Sequence, residues 1–260
     1  MNIPFTKASA CGNDFLIVDA RWSGADIFDL SKRLCDRHNG VGADGVEWLT
    51  SMSGSEASIR LINADGTEAE ISGNGTRCVA AFLVAKGLPD KLSIRTGAGV
   101  KHCQLISRTD HSFEFEMDMG VPELETSFQL NLPSGRVRGT PVSMGNPHYV
   151  VVVDSFAPDW QARGAEIQRQ PEFQDGVNVE FVRSSGSSSI EVRFYERGVG
   201  ETQSSGTGSC ASAVAAVSAG LVTSPVSVYA AGGTQTVRWE GKNTFLRGTA
   251  KLICRGEFFE

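Results

Sequence analysis

The chain lacks the features that mark membrane, secreted and nucleic-acid-binding proteins. Its apolar runs, such as Val150–Val153, have the length of a buried strand and are too short to cross a bilayer. Its first residues, Met1 to Lys7, lack the apolar centre of a secretion signal. Acidic side chains outnumber basic ones by 30 to 24, and the formal net charge of −6 disfavours nucleic acid and anionic membranes as partners.

Cysteine and histidine are also scarce, with six and four residues in a chain of 260. No two cysteines form a CxxC pair and no cysteine–histidine spacing fits zinc, so neither a metal site nor a disulfide framework is predicted. Free thiols without an export signal are typical of a cytoplasmic protein. The length and the hydrophobic fraction of 40% suit a soluble globular protein with two modest domains or one large one.

What the chain does contain is an internal repeat. The segment Ser72-Gly-Asn-Gly75 stands before an apolar run, and Ser205-Gly-Thr-Gly208 begins the same pattern 133 residues later (205 − 72). The offset holds without gaps over a long stretch, through pairs that include Gly12 with Gly145, Val46-Glu47 with Val179-Glu180, and Arg60 with Arg193. Two halves built alike can present matched groups to opposite sides of one ligand, which is the geometry that inversion of a stereocentre requires.

Short strands bounded by turn residues dominate both halves. They are predicted at Phe15–Asp19, Ala57–Ile62, Lys91–Arg95, His148–Asp154, Asn178–Val182, Ile190–Tyr195 and Val226–Ala230. Two apolar helices, Thr76–Lys86 and Ser209–Ala219, stop at glycine and are predicted to be buried. Shorter helices are predicted at Asp29–Arg37 and Trp160–Gln168, and a hairpin loop at Ser184–Ser189. Each half is therefore expected to be a curled antiparallel sheet around one central helix.

In both copies of the repeat a serine and two glycines stand immediately before a buried helix. Glycine lets the backbone approach a ligand closely, and the first helical turn adds N–H donors and partial positive charge. Such a site binds an anion, although each serine also suits a plain helix N-cap. Neither loop has the Lys-Ser/Thr ending of a P-loop or the GxGxxG spacing of a dinucleotide site. The repetition at matched positions favours a ligand-binding role.

These loops and six further blocks resemble the diaminopimelate epimerase family of cofactor-independent amino-acid epimerases. The blocks are Gly12–Phe15, Cys35–Gly45, Asn63–Glu70, Gly73–Cys78, Met144–His148, Val177–Val179, Glu196–Thr202 and Gly206–Gly208. The resemblance runs through most of the chain. It implies an α/β fold of two pseudosymmetric lobes, each a β-barrel-like sheet around a central helix, with the active site in the cleft between them.

The turn residues along the chain indicate a domain plan, and the resemblance implies a reaction. With a junction near Gly120-Val-Pro122, we expect an N-terminal lobe over residues 1–120, completed by 249–260, and a C-terminal lobe over 121–248. The implied activity is interconversion of LL- and meso-diaminopimelate by two-base 1,1-proton transfer, in the lysine and cell-wall pathway. No cofactor or metal is expected, and the resemblance also implies a homodimer.

The resemblance assigns site residues by matching position. Ser72 and Ser205 occupy the base and acid positions, and His148 and Glu196 are expected to flank the site. The expected substrate-binding residues are Asn13, Asn63, Gly73, Asn74, Asn146, Asn178, Glu196, Arg197, Gly206 and Thr207. Arg197 suits a carboxylate, since guanidinium binds it as a bidentate fork, while Glu196 would hold the substrate ammonium or orient a base.

At its two reactive positions the chain departs from the family pattern, which has a cysteine where this sequence has Ser72 and Ser205. A free thiol titrates near pH ~8.5, whereas a serine hydroxyl is a far weaker acid. Two helix dipoles contribute only about 1 kcal/mol each, which does not close a gap of several pK units. Serine therefore needs a neighbouring base, and His148 and Glu196 are the candidates.

Three interpretations of this departure stay open from the sequence. The chain is an engineered variant with both cysteines replaced, a natural branch that uses serine or a relocated thiol such as Cys11, or a protein that binds an amino acid without turnover. Within catalysis, the alternative is a related racemase or a dehydratase of the proline racemase type. Cys78 and Cys210 lie inside the predicted buried helices and are interpreted as core residues.

Overall fold

The computed structural model describes residues 2–24 and 26–260. Within them the α-helices are α1 (Ile27–Cys35), α2 (Gly73–Ala85), α3 (Trp160–Gln168) and α4 (Gly206–Ser218), and a 3-10 helix spans Ala20–Trp22. The strands are β1 (Asn2–Ala10), β2 (Asn13–Asp19), β3 (Gly45–Ser53), β4 (Glu56–Asn63), β5 (Glu68–Ala69), β6 (Lys91–Thr96), β7 (Gly99–Thr109), β8 (Ser112–Gly120), β9 (Glu123–Leu124), β10 (Phe128–Leu132), β11 (Gly135–Ser143), β12 (Pro147–Val152), β13 (Asn178–Gly186), β14 (Ser189–Glu196), β15 (Gly200–Thr202), β16 (Val226–Ala230), β17 (Gly233–Trp239) and β18 (Thr244–Phe259). None of the helices in the described residues is long and apolar enough to cross a membrane.

The predicted helices and strands are confirmed, but the two central helices begin three residues earlier than predicted. Ser72 accepts the Gly75 N–H through its side-chain oxygen at 3.1 Å, and Ser205 accepts the Gly208 N–H at 3.2 Å. Both serines are N-caps with extended backbone, so the glycines that follow lie inside the first helical turn. The predicted hairpin at Ser184–Ser189 joins β13 to β14.

By their contacts, the residues form two compact units, one running to Met117 and including Arg247–Glu260, the other spanning Asp118–Leu246. In the first unit, strands pair in the order β1, β2, β3, β4, β6, β7, β8 and β18, and β18 pairs back onto β1. These described strands therefore close an eight-stranded ring. The last pairing sets Asn2 opposite Phe259.

The second unit repeats the order and the register of the first. β12 runs parallel to β13 with His148 opposite Asn178, just as β2 runs parallel to β3 with Phe15 opposite Gly45. β14 then takes the place of β4, and β16 and β17 take the places of β6 and β7. The offset of 133 residues holds through the central helices and becomes 134 at β16, where Ser227 stands in the register position of Ser93.

The sheet of each unit is antiparallel, as expected, except at two parallel pairs. β2 with β3 and β4 with β6 are parallel pairs, and so are β12 with β13 and β14 with β16. Each parallel pair is joined by a crossover that contains one of the four helices listed above, since parallel neighbours need a connection of about a dozen residues or more. Each parallel pair therefore occurs together with its crossover helix, and this combination makes each unit an α/β structure.

Each central helix is almost entirely buried. Residues 74–84 of α2 and 208–216 of α4 are all buried, which confirms the core assignment of Cys78 and Cys210. The outer helices cover satellite clusters. In α1, Leu30 and Leu34 pack with Trp48, while α3 places Trp160 in a cluster with Tyr149, Phe181 and neighbouring apolar residues. Each such side chain contributes about 1.5–3 kcal/mol when fully buried, and this packing fixes the strands that present the site.

Candidate active site

The first loop, defined as Ser72–Gly75, is fixed to its helix by hydrogen bonds at both ends. Thr76 donates to the Ser72 carbonyl from its backbone N–H and from its hydroxyl, each at 2.8 Å. The Ser72 hydroxyl is half-buried and accepts the Gly75 N–H. The first turn of a helix has no acceptor of its own for its N–H groups, so Gly73 and Asn74 stand where an anion is favoured.

A polar network of amides and charges lies behind this loop. The Asn74 amide donates to Asn13 Oδ1 at 2.7 Å, and the Asn13 amide donates to Asp44 at 3.2 Å. The fully buried Arg77 guanidinium donates to Asn74 Oδ1 and, at 3.7 Å, to the Cys11 sulfur. Two of the predicted ligand residues, Asn13 and Asn74, are thereby brought together and oriented. Cys11 itself adopts a φ of +48° in the tight turn between β1 and β2.

Asn63 lies apart from this network. Its amide donates to the Thr67 hydroxyl at 3.0 Å, and its backbone N–H donates to the Thr67 carbonyl at 2.8 Å. The structure therefore does not join it to Ser72, Asn13 or Asn74 by a described hydrogen bond. It stays half-buried at the end of β4, with its side chain engaged in its own turn.

Beneath the first loop is a carboxyl group that the sequence analysis did not assign. Glu47 is fully buried, and neither of its carboxyl oxygens has a hydrogen-bond partner among the described residues. Burial raises the pKa of Glu47 from 4.5 to about 8. It packs directly on Gly75, where an added Cβ would lie 1.9 Å from Glu47 Oε1, so only glycine fits above this carboxyl group.

The second loop, defined as Ser205–Gly208, is fixed in the same way as the first. The Ser209 hydroxyl lies 2.7 Å from the Ser205 carbonyl and 2.8 Å from Gln235 Oε1, and both contacts are buried. Ser205 itself is 9% exposed. Gly206 and Thr207 form the first turn of α4, in the place that Gly73 and Asn74 take in α2.

A chain of side chains runs beside the second loop from the core to Thr207. Glu180 Oε1 lies 2.7 Å from His148 Nδ1, and both side chains are fully buried. His148 Nε2 lies 3.0 Å from Asn146 Oδ1, and the Asn146 amide donates to the Thr207 hydroxyl at 3.4 Å. Burial raises the pKa of Glu180, and the contact with His148 partly offsets that rise. The imidazole is thus held from both sides.

Glu196 is the carboxylate beside the second serine. It accepts a hydrogen bond from the Thr202 hydroxyl at 2.9 Å. Burial raises the pKa of Glu196, while Thr202 and the nearby Ser205 side chain lower it, and the net shift is upward. A half-buried carboxylate next to a serine is placed as a base beside a nucleophile.

The remaining predicted ligands lie next to Glu196. The Asn178 amide donates to the Pro147 carbonyl at 3.0 Å, and its oxygen accepts the Arg197 N–H at 3.0 Å. The exposed Arg197 guanidinium donates to the Asp175 carbonyl at 2.8 Å. In the second unit, the structure therefore links Asn146 to His148, Glu196 to Ser205, and Asn178 to Arg197.

Sequence reasoning missed the buried carboxyls Glu47 and Glu180 as site residues, together with Arg77 and Gln235. The signal for the two glutamates was present, because Val46-Glu47 falls on Val179-Glu180 at the repeat offset. A charged residue inside an otherwise apolar strand is rarely buried without a role. Arg77 and Gln235 carried no such repeat signal, since the residue at the offset of Arg77 is Cys210.

Comparison with known proteins identifies the family to which this chain belongs. The model of the diaminopimelate epimerase family matches residues 5–125 and 140–253. The diaminopimelate epimerase of Pelotomaculum thermopropionicum is 39% identical over 274 residues, which cover 98% of this chain and 98% of that relative. A phenazine biosynthesis protein of the PhzF family from Bacillus anthracis superposes with a TM-score of 0.74 at 16% identity, over 100% of both chains.

A probable proline racemase from Agrobacterium radiobacter K84 superposes with a TM-score of 0.72 at 15% identity, over 98% of this chain and 92% of that one. At these identities the solved structures establish the fold, with its paired α/β units. The sequence matches, which extend over nearly the whole chain, establish the lineage. The chain belongs to the diaminopimelate epimerase family and is an amino-acid epimerase.

Proposed function

We propose that this protein catalyses the epimerisation of LL-diaminopimelate to meso-diaminopimelate by two-base 1,1-proton transfer, without a cofactor, in lysine biosynthesis. The observation that carries the proposal is the matched pair of serine loops in a chain of this family. Ser72 and Ser205 each cap a buried helix at the same point of the repeat. One takes the α-proton from one face of the substrate carbon, and the other delivers a proton to the opposite face.

The proposed substrate contacts follow from the charges of an amino acid. Backbone N–H groups of the two first helical turns, at Gly73-Asn74 and Gly206-Thr207, bind the α-carboxylate. Glu196 faces the ammonium group. The exposed Arg197 fork suits the distal carboxylate, while Asn13, Asn63, Asn146 and Asn178 supply amide groups to the remaining polar atoms.

Proton transfer through serine requires a base for each hydroxyl. A carbanion formed without an electron-sink cofactor is stabilised only by nearby dipoles and charges, so the barrier is sensitive to the state of the bases. For Ser205, the neighbouring carboxyl group of Glu196 supports this role, and the buried contact between His148 and Glu180 lies beside the same loop.

Deuterium incorporation tests the reaction directly. The protein is incubated with LL-diaminopimelate in heavy water, and the α-proton signal is followed by NMR. We expect loss of that signal together with appearance of the meso isomer. Exchange with proline or another amino acid in place of diaminopimelate would support a related racemase, and tight binding of diaminopimelate without exchange would support a binding protein; either result overturns the proposal.

Restoring thiols is the second test. In the double variant Ser72→Cys with Ser205→Cys we expect exchange at least ~100-fold faster, because a thiolate forms several pK units more readily than an alkoxide. The control is Cys78→Ser with Cys210→Ser, which changes thiols inside the helices. A double variant that does not act on diaminopimelate contradicts the substrate assignment.

We also propose, on the basis of the family, that the protein is a cytoplasmic homodimer. Light scattering of the purified protein tests whether it is a dimer.

A further inference from the structure

The two serines do not have the same carboxylate beside them. Glu196, at the end of β14, lies close enough to Ser205 for that side chain to lower its pKa. The register position of Glu196 in the first unit is Asn63, which is neutral and bonds Thr67 instead. Ser72 therefore receives no carboxylate from the strand that supplies one to Ser205.

The buried glutamates show the opposite asymmetry. Glu180 is engaged by His148 across the parallel pair of β12 and β13. The position of His148 in the first unit is Phe15, which cannot hydrogen-bond, and Glu47 is left without a partner among the described residues. Each unit thus contains one carboxyl group beside its serine. In the second unit it is the half-buried Glu196, which also accepts from Thr202, and in the first it is the buried Glu47, which has no described hydrogen-bond partner.

Glu47 and Ser72 border the same narrow gap under the first loop, which is too small to hold a water molecule. A Cβ added at Gly75 would lie 1.9 Å from Glu47 Oε1 and 3.3 Å from Ser72 Cβ, so the carboxyl and the serine approach one point from two sides. The Ser72 oxygen accepts the Gly75 N–H, and its own hydrogen goes to no described acceptor. A hydroxyl with a proton still to donate and a carboxyl group without a described partner therefore adjoin the same gap.

We propose that Glu47 is the proton partner of Ser72, and this proposal rests on the proposed function. In its ionised form Glu47 accepts the hydroxyl proton of Ser72: the serine O–H bond breaks, a carboxyl O–H bond forms, and the alkoxide takes the substrate α-proton. In its protonated form Glu47 returns the proton by the reverse step. Glu47 acts through Ser72 and does not touch the substrate.

The surroundings of Glu47 suit a proton-exchanging group. Burial places its pKa at about 8, within reach of physiological pH. The titratable groups near it are Glu70, which lines the same gap, and Cys78 on α2, whose thiol interacts electrostatically with both Glu47 and Arg77. Thr76 and Thr96 also line the gap, and its other walls are apolar: Ile59, Leu61 and Ile71.

A thiol placed at residue 72 reports this coupling without any need for epimerase activity. The pH dependence of iodoacetamide labelling is measured in Ser72→Cys and in Ser72→Cys with Glu47→Gln, with the parent chain as background. We expect the second variant to titrate in a single step and at least ~1 unit lower, because it lacks the ionised Glu47 carboxylate that opposes the thiolate. The matched control is Ser205→Cys with and without Glu47→Gln, which we expect to titrate alike.

Phe15→His provides an independent route to the same answer. The imidazole gives Glu47 the partner that Glu180 has, so the thiol of Ser72→Cys should lose its coupling while Glu47 is still present. Unchanged thiol titration in both Glu47→Gln and Phe15→His overturns the proposal. Because the thiol titration needs no substrate, its outcome tests the role of Glu47 independently of the deuterium exchange that tests the proposed function. Where deuterium exchange is active, we expect the exchange rate of the parent protein to rise with pH near pH ~8. Glu47→Gln should remove that rise.

Discussion

The two units follow the same backbone path but surround their buried carboxyl groups differently. Glu47 and Glu180 hold the same register position, opposite Leu61 and Phe194. Glu180 is paired with an imidazole, whereas Glu47 packs against a glycine and has no described hydrogen-bond partner. Strand register and helix caps are thus retained between the units, while single replacements such as phenylalanine for histidine change the proton affinity of each site.

The central helices differ in a related way. Arg77 in α2 orients Asn74 from behind the first loop, and the equivalent residue in α4 is Cys210, which is a small core residue. In the second unit, the chain through His148 and Asn146 holds Thr207 instead. Each loop is therefore supported from a different direction, so substitutions at equivalent positions should have unequal effects.

The largest contrast is expected from the two buried glutamates. The native pKa of Glu47, about 8, lies above its unfolded value of 4.5, so its contribution to stability is complete below pH 4.5 and is lost as pH rises through 8. That loss is on the order of 4–5 kcal/mol. Glu47→Gln should abolish it, which makes the variant more stable than the parent at pH 8. Urea denaturation between pH 5 and pH 8 measures this.

The matched change in the second unit should have the opposite sign. Glu180→Gln leaves an acceptor for His148 but removes the charge, and we expect the free energy of unfolding to fall by about 1–3 kcal/mol at pH 8. Parallel stability curves for the parent and Glu47→Gln would contradict the assignment of a dry, unpaired carboxyl group.

The next contrast concerns the carboxylate beside the second serine. Glu196→Gln should slow deuterium exchange about 100-fold, because it removes the carboxyl group that we propose as the acceptor of the Ser205 proton. Asn63→Asp changes the equivalent position in the first unit, where the side chain bonds Thr67, and should alter exchange less than ~3-fold. NMR of the α-proton measures both. Equal losses in the two variants would show that the half-sites are interchangeable.

A smaller difference is expected just after each cap. Ser209→Ala leaves Gln235 Oε1 buried without its partner and should cost about 2 kcal/mol in the free energy of unfolding. Thr76→Val removes one hydroxyl that bonds only the Ser72 carbonyl and should cost about 1 kcal/mol. Chemical denaturation at pH 7 gives both values, and a larger cost for Thr76→Val would contradict the comparison.

The smallest effect is expected on the surface. Arg60 and Glu68 form a two-pronged ion pair with both bonds at 2.8 Å, but each side chain is more than 40% exposed. Glu68→Gln should cost about 0.5 kcal/mol at low salt, falling to near zero at about 1 M salt. The equivalent change, Glu201→Gln, touches a bond from the neutral Gln161 and should show no salt dependence.

Much of the fold could be predicted because local patterns and tertiary structure agree. The apolar run of α4 and the glycine that follows it fix a buried helix, and the repeat fixes its counterpart α2. The parallel pairs could not be predicted from strand composition, because parallel and antiparallel strands use the same residues. They depend on where each crossover helix returns the chain.

The site was predictable to a similar degree. Ser72, Ser205 and the asparagines were marked by motif and repeat, but the state of a carboxyl group depends on what surrounds it in space. Only a residue on the neighbouring parallel strand, Phe15 in one unit and His148 in the other, separates the unpartnered Glu47 from the imidazole-bonded Glu180. Likewise, the engagement of Asn63 with Thr67 depends on the turn after β4.

The ring of the first unit is completed by β18, which comes after every other described strand in the chain. β18 hydrogen-bonds β1 along one edge and pairs with β8 on the other, and the Leu252 N–H donates to the carbonyl of His111, just before β8, at 2.9 Å. Until β18 has been synthesised, β1 and β8 therefore remain open edges that other strands can pair with. Maturation of the Ser72 loop must wait for translation of residues 247–260, whereas the Ser205 loop needs only segments made earlier.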